Sequence, residues 1–280
     1  MSSSPLVSRL APLLPAAGLL VAVLVPVLLH GWPAQTRIIV ASSLLIAAAC
    51  LASAMRVLGA VGALRLAAIA LPVGWFAEQM GASHGWFFGA YTYTEVLGPR
   101  LGQVPVVIPL MWFALVYSGQ VMANLIVWQV PREADAGALR KLATAFLTAL
   151  LVTGYDLGVD PYMVYKLGAW IMDKKDGWWF GETLQGFVGW MLVAFTIAAA
   201  YALSMRRSAS MAPLSRPAVG YVAMPLLLYG ALMVYEITQG VPVETRTIAL
   251  FVMGIPLFCA CSGLARWHGE PAPAPVGERA

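Results

Sequence analysis

Charge is scarce in this sequence. Of its 280 residues only 11% are Asp, Glu, Lys or Arg, where a soluble domain carries roughly 25% to keep its surface hydrated. With 60% apolar residues and a mean hydropathy of +0.79, the chain cannot cover itself with hydrated groups, so its solvent is largely lipid and its class is a polytopic membrane protein. Cysteine is scarcer still, with three residues. Cys50, Cys259 and Cys261 all lie inside apolar runs, which fits small buried hydrophobes rather than a disulfide framework or a thiolate metal site. There is no basic run, zinc spacing or phosphate-cradling glycine motif. The net charge of +4 and pI near 9.0 therefore reflect lysine and arginine in loops rather than nucleic-acid binding. Beyond Lys175 there is no lysine, which excludes a retinal Schiff base in the last helix.

What is present is a series of apolar runs of membrane length. About 20 residues of helix cross a hydrocarbon core, and the runs predict an all-α transmembrane bundle of about eight spans, with seven possible. They lie near Leu10–Leu29, Ile38–Met55, Gly62–Met80, Val106–Val130, Leu142–Tyr162, Leu184–Leu203, Val219–Thr238 and Thr247–Leu264. The first follows Arg9 as a signal peptide would, but no small-x-small cleavage site precedes His30–Trp32, so it reads as a span. With the N-terminus inside, 11 of the 17 basic residues fall on the inner side and 6 on the outer. This bias predicts an integral membrane protein, of a bacterial inner membrane, with both termini cytoplasmic. Residues 1–266 read as one membrane domain and 267–280 as a disordered Gly/Pro/Ala-rich tail.

Four of the thirteen acids interrupt these runs: Glu78, Asp156, Asp160 and Glu236. The other nine fall in loops or the tail, where solvated charge needs no special reason. Each of the four lies towards the C-terminal end of an odd-numbered span, so all reach the outer side. A carboxylate near a membrane centre costs ~2.5–3.5 kcal/mol on insertion scales, and such residues are functional by default. Asp156 and Asp160, in GYDLGVDP, are spaced i and i+4 and share a helix face. Gly154 and Gly158 thin the helix around them, and Pro161 predicts a helix end near Asp160. Two nearby carboxylates repel when both ionise, so such a pair keeps one proton and can supply an acid and a base. Glu236 fits an interfacial residue better than a reactive one.

Two aromatic, glycine-rich loops lie on the same side. One, from Glu78 to Trp112, holds Trp86, Phe87, Phe88, Tyr91 and Tyr93; the other, DGWWFGETLQGFVGW, holds Trp178, Trp179, Phe180, Phe187 and Trp190. An ordinary aromatic belt would look like this. So would the wall of a pocket, where ring faces stabilise a cation without trapping it. His84 in the first loop reads as incidental, and Gln120 and Asn124 as hydrogen-bonding between helices.

Three blocks, Glu78 with Gly81 leading into FGAYTYTEVLG and VPVVIPLMW, then DLGVDP, then WFGETLQGFVGW, resemble the carotenoid 1,2-hydratase family of integral membrane proteins, of CruF type. The resemblance runs from about Gly74 to Trp190. The family pattern has a proline nearer Phe87, a proline nearer Thr183 and an asparagine nearer Gly186, where this chain differs. The resemblance implies addition of water across the terminal double bond of an acyclic carotenoid (lycopene, γ-carotene or, as in related archaeal members, a bacterioruberin precursor), with no redox cofactor and no metal. It implies Glu78, Asp156 and Asp160 as the functional acids. Beside them Trp86, Phe88, Tyr91, Tyr93, Trp112, Trp179, Phe180 and Trp190 are candidate substrate contacts, and the partners are the carotenoid, membrane lipid and other carotenoid biosynthesis enzymes.

The expected chemistry is protonation of the alkene by Asp156 or Asp160, then capture of the tertiary cation by water that Glu78 or the other aspartate deprotonates. A carotenoid end-group cyclase begins with the same protonation, and the residues alone leave that open. A prenyltransferase needs a second acidic motif, which is missing. A transporter or proton channel predicts acids staggered through the membrane depth, and these gather at one side.

Overall fold

The computed structural model describes residues 11–28, 35–132, 137–205 and 216–270. Among these, eight α-helices follow the eight apolar runs: α1 (Leu13–Leu28), α2 (Gln35–Val57), α3 (Gly59–His84), α4 (Val107–Trp128), α5 (Ala138–Tyr162), α6 (Leu184–Ser204), α7 (Val219–Gln239) and α8 (Glu244–Gly269). Seven of them, α2 to α8, are long and apolar enough to cross a membrane. The first is shorter than its apolar run: α1 has 16 residues, or about 24 Å at 1.5 Å per residue, and Leu10 and Leu29 lie outside the described residues. Arg9, Arg206, Arg207 and Arg279, which contribute to the expected orientation, also lie outside them. At the other end α8 continues through Gly269, so Trp267 and His268 are helical, while residues 271–280 are outside the described set.

Large apolar side chains such as Phe146 (53% exposed) and Phe258 (73%) point away from the bundle, as expected where the outer solvent is lipid. Cys50 is buried, whereas Cys259 and Cys261 are exposed on α8, so two of the three cysteines expected inside face outward; all three are free. Helix α4 is the axis of the bundle and packs on α2, α3, α5, α7 and α8. Polar contacts fix its register. The Tyr117 hydroxyl lies 2.7 Å from Ser53 Oγ, which donates to the Tyr221 carbonyl at 2.6 Å, tying α2, α4 and α7 together. Asn124 was expected to bond between helices, but its amide donates within α4, to the Gln120 carbonyl at 3.0 Å. It closes an i−4 contact on its own helix.

One end of the bundle is capped by the two aromatic loops. Strand β1 (Tyr91–Tyr93) pairs antiparallel with β4 (Trp170–Met172), setting Tyr91 opposite Met172 and Tyr93 opposite Trp170. A short hairpin joins β2 (Arg100–Leu101) to β3 (Val104–Pro105). Strand residues alternate faces, so Tyr91 and Tyr93 point inward together while Thr92 points out.

Helix α5 departs from the sequence reading at Pro161. The expected stop near Asp160 does not occur: the helix runs through Pro161 to Tyr162 and continues as a π-helical turn over Met163–Leu167. A proline lacks the N–H that would bond the carbonyl four residues back, which leaves Leu157 O without a helical donor. The Trp179 indole N–H supplies one at 3.0 Å. The second loop thereby satisfies the helix that its neighbouring proline disrupts, and it is pinned to α5 in return. Replacing Trp179 with Phe removes this donor and is expected to cost about 1–3 kcal/mol, the usual penalty for an unsatisfied polar group. A lower unfolding midpoint in detergent micelles is the expected reading; an unchanged midpoint would show that the bond carries no stability.

Candidate active site

Under the aromatic cap lies a cavity of ≈ 190 Å³. Its side walls are largely apolar, with Ala22, Val23 and Pro26 from α1, Ile38, Ile39 and Ile46 from α2, Met111 and Leu115 from α4, and Leu232 from α7, while α2 also contributes the polar Gln35, Ser42 and Ser43. Three carboxyls reach its wall: Glu78 from α3, Asp160 from α5, and Glu182 from the loop before α6.

Glu78 is buried, and three donors converge on it. The Trp112 indole donates to Oε1 at 2.9 Å, the Tyr93 hydroxyl to Oε2 at 2.7 Å, and the Tyr91 hydroxyl to the same Oε2. Two of the donors come from one strand and the third from a helix. Tyr91 and Tyr93 are the inward pair of β1, and Trp112 is one turn into α4. Burial, followed by the nearby Glu78 charge, holds both phenols well above their ordinary range, so both remain protonated donors. A carboxyl surrounded only by donors is arranged as an acceptor.

Asp160 is placed differently. The Trp170 indole donates to its Oδ1 at 3.2 Å, and its other contact is a side-chain hydrogen bond with Glu182. Glu182 is 3% exposed. Burial first, then the Asp160 charge, pushes its carboxyl up to about 10. This corrects the sequence reading, which left Glu182 among the solvated loop acids. Its neighbours Asp173, Lys174, Lys175 and Asp176 make the loop look hydrated, but the chain turns back on itself through bridges between Gly177 and Gly181 and between Trp179 and Glu182. That reversal drives Glu182 under the cap. The signal was its place in the WFGETLQGFVGW block rather than its surroundings.

The remaining expected residues divide cleanly. Phe88, Tyr91, Tyr93, Trp112 and Trp190 line the cavity. Trp112 and Trp190 pack with centroids 4.5 Å apart, and Phe88 stacks on Trp112 at 6.3 Å. Trp86, Trp179 and Phe180 are not on the cavity wall. Trp86 is 53% exposed with its ring 5.7 Å from His84, Trp179 is engaged with Leu157, and Phe180 adopts a left-handed backbone (φ 50°) with its carbonyl accepting from the Tyr165 hydroxyl at 2.6 Å. Trp170 from β4 and Tyr155, Tyr162 and Tyr235 from helices also line the cavity, and isolated aromatics of this kind carry no local sequence signal that separates them from core.

Asp156 does not reach the cavity wall. It is fully buried (0% exposed), and neither of its oxygens has a hydrogen-bond partner among the described residues. Glu236 is equally unpartnered and sits against Gly158, where a Cβ would collide with its Oε2. Gly158 is two residues, about 200° of helix, from Asp156, so these two acids occupy opposite sides of α5. Of the two thin positions expected beside the aspartates, Gly158 admits Glu236, and Gly154 admits Val252 of α8.

Residues 38–256 match the family described as "Carotenoid biosynthesis protein", and the chain belongs to that family. A bisanhydrobacterioruberin hydratase of Haloarcula japonica is 32% identical to it over 116 residues, which is 41% of this chain and 36% of that protein. The chain therefore matches little more than a third of the length of this relative. No solved structure matches.

If the donors around Glu78 hold it in place, Tyr93→Phe should loosen it by about 1 kcal/mol, the net value of one hydrogen bond, and Tyr91→Phe by a similar amount. Unfolding in detergent, followed by circular dichroism, checks this. Unchanged stability in the double variant would contradict the arrangement.

Proposed function

We propose that this member of the carotenoid biosynthesis protein family adds water across the terminal C1–C2 double bond of an acyclic carotenoid end group, such as that of lycopene, γ-carotene or a bacterioruberin-type precursor. One observation carries the reading: Glu78, which accepts from three donors, and Asp160, hydrogen-bonded to a second carboxyl, Glu182, line one aromatic-walled cavity. The similarity to a protein named as a bisanhydrobacterioruberin hydratase supports the same chemistry.

In this reading the polyene enters from the lipid, along the apolar residues that α1 and α2 give the cavity. Its end group lies between the two acids. The carboxyl pair at Asp160 delivers a proton to the less substituted alkene carbon, leaving a tertiary cation. The faces of Phe88, Trp112 and Trp190 favour that charge without bonding to it, and the aromatic cap limits the water that could quench it at random. Water then bonds to the cationic carbon and gives up its proton to Glu78, whose donors already hold it as an acceptor. Asp156, one turn below Asp160 on the same face of α5, serves as a second acid behind the wall. The basic-residue bias puts the capped end on the outer side of the membrane, with both termini cytoplasmic.

Expression in a bacterium that makes lycopene tests the function. A more polar pigment, heavier by one water, is expected. An isomer of unchanged mass with a shifted spectrum would mean ring closure and would overturn hydration. The single variants Glu78→Gln and Asp160→Asn should reduce turnover by about 10²–10⁴-fold, the usual contribution of a general acid or base. Asp156→Asn should have a smaller effect, because it does not touch the cavity. Full activity in all three, with the proteins inserted, would sink the assignment.

A further inference from the structure

Proton transfer to an alkene needs a carboxyl that holds a proton at neutral pH and faces the substrate, and the hydrogen bonds at Asp160 decide which of the pair that is. Two carboxyls in hydrogen-bond contact must share a proton, because neither has a donor of its own when ionised. Asp160 already accepts from the Trp170 indole at 3.2 Å, which marks it as the acceptor of the pair. Glu182 has no such donor: its Oε2 is buried and has no partner among the described residues. The backbone is also shaped to admit this carboxyl. A Cβ at Gly186, in the first turn of α6, would collide with Glu182 Oε1, so the bare glycine makes the room. The turn that carries Glu182 is anchored from the other side by Trp179 on Leu157 O.

From this geometry we propose that Glu182 is the catalytic proton donor of the cavity, with Asp160 as the carboxylate that shares its proton. The inference rests on the hydratase reading and names the acid within it. In the forward step the Glu182 O–H bond breaks and its proton forms a C–H bond with the π electrons of the terminal alkene, leaving the tertiary cation. A lone pair of water forms the C–O bond, and the proton released from that water goes to Glu78. Return of that proton to the Glu182–Asp160 pair resets the site. One water is consumed, and no oxidant, reductant or cofactor enters the balance.

The full-length protein in membranes of lycopene-producing bacteria gives the test, with wild type, Glu182→Gln, Glu182→Asp and the surface control Glu95→Gln compared for pigment and for infrared absorption. Wild type and E95Q should hydrate the pigment. E182Q should insert and retain bound carotenoid but lose about 10²–10⁴ of the rate, while E182D recovers part of it. The carbonyl absorption of protonated carboxyls, shifted by deuteration, should be weaker by one carboxyl at neutral pH in E182Q than in wild type and E182D. If E182Q hydrates lycopene as wild type does while Glu78→Gln does not, the hydratase reading stands and Glu182 is not its acid. The same holds if that absorption is as strong in E182Q as in wild type. No hydrated pigment from wild type would overturn the hydratase reading itself, and the catalytic role of Glu182 with it.

Discussion

The organising constraint of this bundle is the burial of five carboxyls, Glu78, Asp156, Asp160, Glu182 and Glu236, with no ion pair to any of them among the described residues. An unpaired charge in a low-dielectric interior costs several kcal/mol even after relaxation, so each carboxyl needs another solution. Glu78 is given three donors. Asp160 and Glu182 are given each other. Asp156 and Glu236 have neither, and they are buried on different sides of α5. Such an accumulation weakens a fold, and three of the five, Glu78, Asp160 and Glu182, meet at the wall of one cavity, which is why the site reads as chemistry rather than packing.

The cap is what makes these solutions possible. None of the three donors to Glu78 is its sequence neighbour. Tyr91 and Tyr93 face inward because β1 pairs with β4 in a register that sets Tyr93 opposite Trp170, and Trp170 in turn reaches Asp160. The same short sheet therefore dresses both acids. On the other side, Pro161 strips a helical hydrogen bond from Leu157, and the Trp179 indole replaces it. This brings the turn with Glu182 onto α5. Local irregularities of the backbone thus become the contacts that assemble the site.

Much of this was legible in the sequence. Apolar runs of membrane length became helices at nearly the expected bounds, because hydrophobicity over twenty residues is a strong signal. The convergence of Glu78, Asp160 and the inward aromatics on one end also followed from span parity. The misreadings share a cause. Glu182 looked solvated because its loop is rich in charge, and Asp160 looked like a helix end because of Pro161. In both cases a contact from a distant segment, unreadable from local pattern, reversed the local rule. Asp156 is the converse: its spacing put it on the face of Asp160, but one turn of helix takes it off the cavity wall.

The central claim is that a carboxyl proton and a water molecule are added in succession to one alkene. The most direct measurement is isotopic: hydration of lycopene by the protein in membranes suspended in D₂O or in ¹⁸O-labelled water, read by mass spectrometry of the product. The account predicts one non-exchangeable deuterium on the carbon next to the new alcohol and oxygen drawn from water. A hydroxylated product without that deuterium, or with oxygen from air, would contradict it.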